Sequence, residues 1–306
     1  QLARARLFHF LVLELIWKAP VDKRNLWIVQ WVLLQAFCPQ SIEGFTQTDE
    51  KPCVKNSKRL MQKLDSYIPK NNYPGKLIVI EGSDGSGKTT QMQLLKKYID
   101  GKKIKTQTVD FPQYYDSFYG KFIARYLRGE FGDLATVNPY LISFPYALDR
   151  LAAAKKIYSW LKSGKIVLLN RYTPSNLAHQ SSRLEKKERE EYLKWSLEFE
   201  YKENKLPPED LVIFLYVPYY SSPEQLMGLK LMQNTDRAGR AYTKGKTKDI
   251  VEGNVAYLKN SEKAYLGLLE RFSHWVKIDC VIDGKLLSIE EIHKEVISVL
   301  KKKKII

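Results

Sequence analysis

From residue 76 onward, short runs rich in β-branched and apolar residues alternate with longer stretches in which apolar positions recur every three or four residues. The runs at 77–81, 105–110, 166–170, 211–217 and 275–281 read as strands, most of them apolar without alternation, as strands covered on both faces are. The stretches at 88–100, 119–128, 139–163, 182–203, 222–233, 255–271 and 289–302 read as helices. Strand and helix in turn predict an α/β fold: one five-stranded, mostly parallel sheet flanked by helices on both faces.

Residues 1–60 have a different character, with Trp17, Trp27 and Trp31 and apolar runs at 7–16 and 26–37. Both runs fall short of the about 18–20 apolar residues that span a bilayer, and Glu14 interrupts the first. Arg4 and Arg6 precede the first run as in a leader peptide, but no small-residue cleavage site follows. The first methionine is Met61. The expectation is that the working protein is one domain, 61–306, and that 1–60 is an extension outside it; an amphipathic docking segment is the rival reading.

The first candidate chemistry is the stretch Gly82-Ser83-Asp84-Gly85-Ser86-Gly87-Lys88-Thr89-Thr90, entered from a strand and left by a helix. A glycine, four residues and Gly-Lys-Thr make a P-loop, whose backbone N–H groups converge on phosphate oxygens. Lys88 adds a charge between the β- and γ-phosphates, Thr89 a hydroxyl for Mg²⁺, and the helix that follows its positive end. Nucleoside triphosphate binding is the consequence.

The formal charge of +16 favours polyanionic partners without choosing among nucleotides, nucleic acid and anionic surfaces. Three cysteines (Cys38, Cys53, Cys280) and four histidines show no metal-binding spacing, and so sparse a cysteine count fits the cytoplasm. Cys280 reads as a small apolar residue of a late strand. The glycine- and lysine-rich stretch 234–253 carries Asp236, Arg237, Arg240, Lys244, Lys246, Lys248 and Asp249, the composition of a mobile cationic flap or LID. Its charges also fit a solvated loop.

Ligands of α/β sheets collect at the carboxyl ends of the strands. There stand Phe111-Pro112-Gln113-Tyr114 and Asn170-Arg171-Tyr172, with Ser175 and Gln180 beyond. Tyr146 and Arg150, four residues apart, share one helical face, and a ring beside a guanidinium suits a nucleobase. His179 reads as pocket wall or packing, since phosphoryl transfer does not require it.

Taken together, the P-loop with Asp84 inside it, Phe111-Pro112, the Tyr146–Arg150 pair, Arg171-Tyr172 with Ser175, Ala178 and Gln180 behind it, and Asp249-Ile250-Val251-Glu252 after a basic flap resemble thymidylate kinase, from about Lys76 to the C-terminus. The resemblance implies a P-loop NTPase fold and transfer of the γ-phosphoryl group of ATP, with Mg²⁺, to dTMP. It implies that Tyr146 stacks on thymine, that Arg150, Ser175 and Gln180 contact the base, and that Asp84 holds the 3′-hydroxyl. Arg171 clamps the acceptor phosphate, with Phe111, Pro112 and Tyr114 lining its side. Lys88, Asp84, Arg171 and a flap arginine, Arg240, become the catalytic set; Gly85 stands where one branch of the family has a loop arginine. A homodimer, no nucleic acid and no membrane complete the expectation.

Two departures stand out. Asn170 takes the place of the family's usual aspartate, so Thr89 and Asn170 form the metal set without a charge. No arginine follows Pro112; either Arg125 reaches in, or Tyr114 and Lys121 share its task. Competing functions are a kinase for another nucleotide or nucleoside, a P-loop ATPase on nucleic acid, which needs a water-positioning residue, and a non-catalytic binding protein.

Overall fold

In the computed structural model the five expected runs are strands: β1 (Lys76–Gly82), β2 (Thr106–Asp110), β3 (Ile166–Asn170), β4 (Leu211–Tyr216) and β5 (Trp275–Asp279). The described residues are 64–219, 241–244 and 249–306. The readings made for 1–60, Met61, the helix at 222–233, Arg237, Arg240, Lys246 and Lys248 lie outside them. All five strands pair in parallel in the order β2-β3-β1-β4-β5, as the alternation predicts.

Successive strand residues point to opposite faces, so a strand covered on both sides must be apolar throughout. Leu77 and Val79 of β1 enter one core with Val167, Leu169, Val212 and Phe214. Ile78 and Ile80 enter the other with Leu168, Ile213 and Leu215. Each such fully buried side chain contributes roughly 1.5–3 kcal/mol relative to exposure.

The described α-helices, in chain order, are α1 (Lys88–Gly101), α2 (Phe118–Leu127), α3 (Pro139–Lys162), α4 (Thr173–Ser181), α5 (Lys186–Leu197), α6 (Val255–Leu269) and α7 (Ile289–Lys302). Met92, Leu95 and Ile99 of α1 and Ile292, Val296 and Leu300 of α7 cover the second core. Ile157 of α3, Leu177 of α4, Tyr192 of α5 and Tyr265 of α6 cover the first. Helices therefore lie on both faces. Among the described helices, none is long and apolar enough to cross a membrane.

Two stretches differ from expectation. The helix expected over 182–203 begins at Lys186 and ends in a π-helical turn, Glu198–Glu203, while the preceding 173–181 form α4. Thr173-Pro174 opens α4, where a missing N–H costs nothing. The last strand stops at Asp279; after the buried Cys280, Val281–Ile282 (β6) and Lys285–Leu286 (β7) form a hairpin around Asp283-Gly284.

Candidate active site

β1 delivers the P-loop at its carboxyl end, and α1 leaves from it. A Cβ at Gly82 would stand 2.4 Å from Ser86 Oγ and 2.8 Å from the carbonyl oxygen of Leu215, so the chain passes there only as glycine. Gly85 and Gly87 have φ of 81° and 84°, the left-handed region that favours glycine. Gly87 also caps α1 and brings no side chain to its first N–H groups, whereas Ser117, Asn138 and Ser288 cap α2, α3 and α7. The first turn of α1 is thus left open for an anion. Buried Lys88 lies along the loop, donating to the carbonyls of Gly82 (3.1 Å) and Ser83 (2.8 Å), with Asp84 Oδ1 at 3.9 Å.

Arg171 follows β3 in a left-handed conformation, φ 64°, pinned by its N–H to the carbonyl of Ile80 (3.0 Å). Its guanidinium bonds Asp84 Oδ1 (2.5 Å), Ser175 Oγ (3.3 Å) and His179 Nε2 (3.3 Å), so the strand end and the P-loop meet in one ion pair. Burial alone would lower the Arg171 pKa, but Asp84, Tyr265 and Glu81 hold it well above its ordinary value. Burial and then the Arg171 charge bring His179 down to about 3. The ring is neutral: Nε2 accepts from Arg171, and Nδ1–H donates to Tyr257 Oη (2.8 Å).

Beneath Arg171, Glu81 ends the apolar run of β1 fully buried. It accepts from Tyr172 N–H (3.0 Å), Ser175 Oγ (2.9 Å) and Tyr265 Oη (2.9 Å). Burial raises its pKa, with Arg171 pulling against it. Ser175, expected at the base, instead has its hydroxyl engaged between Glu81 and Arg171. Gln180 is buried with its Oε1 on Arg183 Nη1 (2.7 Å).

The loop after β2 runs through a cis Phe111–Pro112 bond, with Phe111 packed on Tyr172 at 5.7 Å. Asp149, beside Arg150 in the sequence, holds this loop by accepting from Gln113 N–H (2.8 Å) and from the Ser117 hydroxyl. Tyr114 stacks on Tyr242 at 4.2 Å. Burial raises its pKa, as do Tyr242, Tyr146 and Asp249, while Arg171 opposes, so a neutral phenol stands among those groups. Arg125 does not reach in: its Nε bonds Glu130 (2.6 Å) and its guanidinium lies 4.9 Å from the Phe131 ring centre. Lys121 is exposed.

The two sequence neighbours on α3 part company. Tyr146 packs with Ile123, Tyr126, Ile142 and Tyr242, and burial raises its pKa far enough to keep the hydroxyl protonated. Arg150 is 2% exposed and its Nε and Nη2 are held by Glu200 of the π-helical turn, leaving Nη1 with a long 3.5 Å contact to the carbonyl of Tyr172. Asn176 Nδ2 donates to the same carboxylate (3.2 Å). The described ends of the flap are anchored rather than loose. Tyr242, Thr243, Asp249 and Glu252 are buried, and Ile250 N–H donates to the carbonyl of Leu127 (3.0 Å).

Three polar side chains meet where α1 begins and β3 and β2 end. Asn170 Nδ2 lies 3.3 Å from Thr89 Oγ1 and 2.7 Å from Asp110 Oδ1, while Asn170 Oδ1 is buried with no hydrogen-bond partner. Hydroxyl, amide oxygen and carboxylate suit Mg²⁺, and the bare amide oxygen is an acceptor awaiting a donor.

A family model described as thymidylate kinase matches residues 80–296. The chain belongs to the thymidylate kinase family. A probable thymidylate kinase of Pyrococcus horikoshii is 32% identical over 234 residues, 74% of this chain and 96% of the relative. A thymidylate kinase of Mycobacterium tuberculosis (H37Rv) is 32% identical over 152 residues, 50% of this chain and 71% of the relative. A solved thymidylate kinase from Candida albicans aligns with a TM-score of 0.56 at 20% identity, covering 75% of this chain and 92% of that one, a likeness of fold. For this thymidylate kinase family member, the side chains that sequence reasoning missed are Glu81, Asp110, Asp149 and Glu200. Glu81 and Asp149 left a signal, an acid closing an apolar strand and an acid within an apolar helix face; Glu200, among aromatic residues, left little.

Proposed function

We propose that this chain transfers the γ-phosphoryl group of ATP to dTMP, giving dTDP and ADP. The observation that carries the reading is the Arg171–Asp84 pair, which joins the nucleotide cradle to the strand end where an acceptor phosphate would sit. Family membership names the acceptor.

The transition state of phosphoryl transfer is loose, so positioned cations and aligned reactants do most of the work. Lys88 and the open first turn of α1 hold the donor phosphates. Arg171, kept charged by Asp84 and braced by neutral His179, orients the acceptor phosphate, with the Tyr114 hydroxyl beside it. Asp84 meets the 3′-hydroxyl, Tyr146 stacks on thymine, and Arg150 reads the base edge through Nη1, its angle fixed by Glu200. Gln180 lines the same ring, and Arg240 supplies positive charge for the transferring group. Thr89 and Asn170 hold Mg²⁺. That ion, when bound with ATP, neutralises charge on the β- and γ-oxygens.

Residues 61–306 carry the activity, with the LID at 234–253, and 1–60 is dispensable. The chain works as a homodimer in the cytoplasm, on neither nucleic acid nor membrane. A kinase for another nucleotide or nucleoside would share every phosphate-handling part and differ only at Tyr146, Arg150, Ser175 and Gln180.

The test is ADP release by the full chain with ATP and Mg²⁺, with dTMP, dUMP, dCMP, dAMP or dGMP as acceptor. The expected result is clear dependence on dTMP, weaker activity with dUMP and background with the others. A flat response would overturn the assignment. The same assay on a chain beginning at Met61 checks the dispensability of the first sixty residues.

A further inference from the structure

Mg²⁺ at a P-loop is held by the loop Ser/Thr together with a carboxylate at a strand end, and it binds proteins through one or two carboxylates while keeping several waters. Thr89 and Asn170 alone provide no negative charge. The acids at or just beyond the carboxyl ends of β1 and its neighbours on the Asn170 side, β3 and β2, are Glu81, Asp84 and Asp110, and two of them are committed. Glu81 is fully buried and filled by three donors. Asp84 is paired with Arg171 and stands 3.9 Å from the Lys88 ammonium, so its charge is already answered by two cations.

Asp110 remains. It closes β2 directly opposite Asn170 at the end of β3, the last register pair of the two strands. Its Oδ1 accepts from Asn170 Nδ2 at 2.7 Å, and the same amide nitrogen lies 3.3 Å from the Thr89 hydroxyl. Asn170 Oδ1, with no partner, is on the other side of an amide whose orientation Asp110 fixes, since a carboxylate accepts only from the NH₂ end. Thr89, Asn170 and Asp110 thus form a continuous polar row from the start of α1 to the ends of β3 and β2.

We propose that Asp110 is the carboxylate of the divalent-cation site, its charge set one strand over from Asn170. It acts as a positioning residue, fixing the Asn170 amide beside Thr89 and placing a formal negative charge on the Thr89 side of that amide. Asn170 relays rather than replaces a charge. The inference rests on the metal–nucleotide reading above.

The experiment is Mn²⁺ titration of the full chain with ADP, free Mn²⁺ being read by electron paramagnetic resonance. The wild type is compared with Asp110→Asn and with the exchange variant Asp110→Asn/Asn170→Asp. Outer-shell partners of a metal typically contribute about 10–100-fold in affinity. Asp110→Asn is expected to weaken Mn²⁺ binding by at least about tenfold, with ADP binding in EDTA and the circular dichroism spectrum unchanged. The exchange variant, which returns the carboxylate to β3, is expected to recover wild-type affinity. Unchanged Mn²⁺ affinity in Asp110→Asn overturns the role of Asp110 alone. Weak binding that the exchange does not restore also overturns it, since the loss is then structural. A wild type that holds no Mn²⁺ with ADP overturns the metal–nucleotide reading with it.

Discussion

On the donor side of the site, nine consecutive residues, 82–90, make the cradle almost entirely from backbone, and three glycines with one lysine set its shape. On the acceptor side, Tyr114, Tyr146, Arg150 and Arg171 come from three widely spaced segments, and the two arginines are held by partners from elsewhere in the chain: Arg171 by Asp84 and His179, Arg150 by buried Glu200. A backbone cradle is specified locally, by which residues tolerate its φ angles. A side-chain clamp is specified at a distance, by which charges the fold buries beside it. Donor function should therefore survive changes that ruin acceptor function.

The largest separation is expected from Arg171→Ala. Removing a preorganised cation at developing charge typically costs about 10²–10³-fold in turnover, and here it also releases Asp84 and empties the contact that His179 makes. Steady-state kinetics should show that loss with dTMP, while fluorescent ADP binds the variant as it does the wild type. If ADP affinity falls in parallel with turnover, Arg171 belongs to the donor side and the two halves are one unit.

Glu200→Gln is expected to act less strongly and on one half only. The amide oxygen keeps a hydrogen bond to Arg150 but loses the charge, and a hydrogen bond to a charged group is worth about 1.5–3 kcal/mol. Thermal unfolding should fall accordingly. The dTMP KM should rise and the preference for dTMP over dCMP should narrow, with the ATP KM unchanged. A variant that melts lower but keeps its KM and base preference makes the Arg150–Glu200 pair a core device only.

That split explains what the sequence disclosed. The strand runs, most of the described helices around them and the P-loop are written in contiguous residues, and these were legible as such. Tyr146 and Arg150 were legible as a pair on one face, but not their divergence, because Glu200 lies fifty residues from Arg150 on a turn whose π-helical winding no local pattern announces. The chain at 173–181 was given no element because a short helix of mixed residues, Thr173–Ser181, has no broad apolar stripe. Arg125 looked free to reach the acceptor, and its partner, Glu130, was five residues away. Ser175 was expected at the base, and its hydroxyl donates a hydrogen bond to Glu81, ninety-four residues earlier.

The smallest effect sharpens the comparison at the edge of the acceptor side. Asp249 sits at the described end of the flap, its Oδ1 accepting from Val251 N–H (2.9 Å) and Glu252 N–H (2.8 Å), and burial followed by the Glu252 charge raises its carboxyl to about 7. An unfolded aspartate titrates near about 3.9. The folded state therefore binds the extra proton, and the stability this group contributes is full below pH about 4 and is lost as pH rises through about 7. Asp249→Asn keeps the oxygen that caps the two N–H groups and cannot ionise, so it should lack this slope. Melting curves should show the variant gaining on the wild type between pH about 4 and about 7 and then holding its lead. Parallel curves across that range would mean that Asp249 ionises in the folded protein as it does in the unfolded chain. The flap end would then be held by its hydrogen bonds, with no proton stored beneath it.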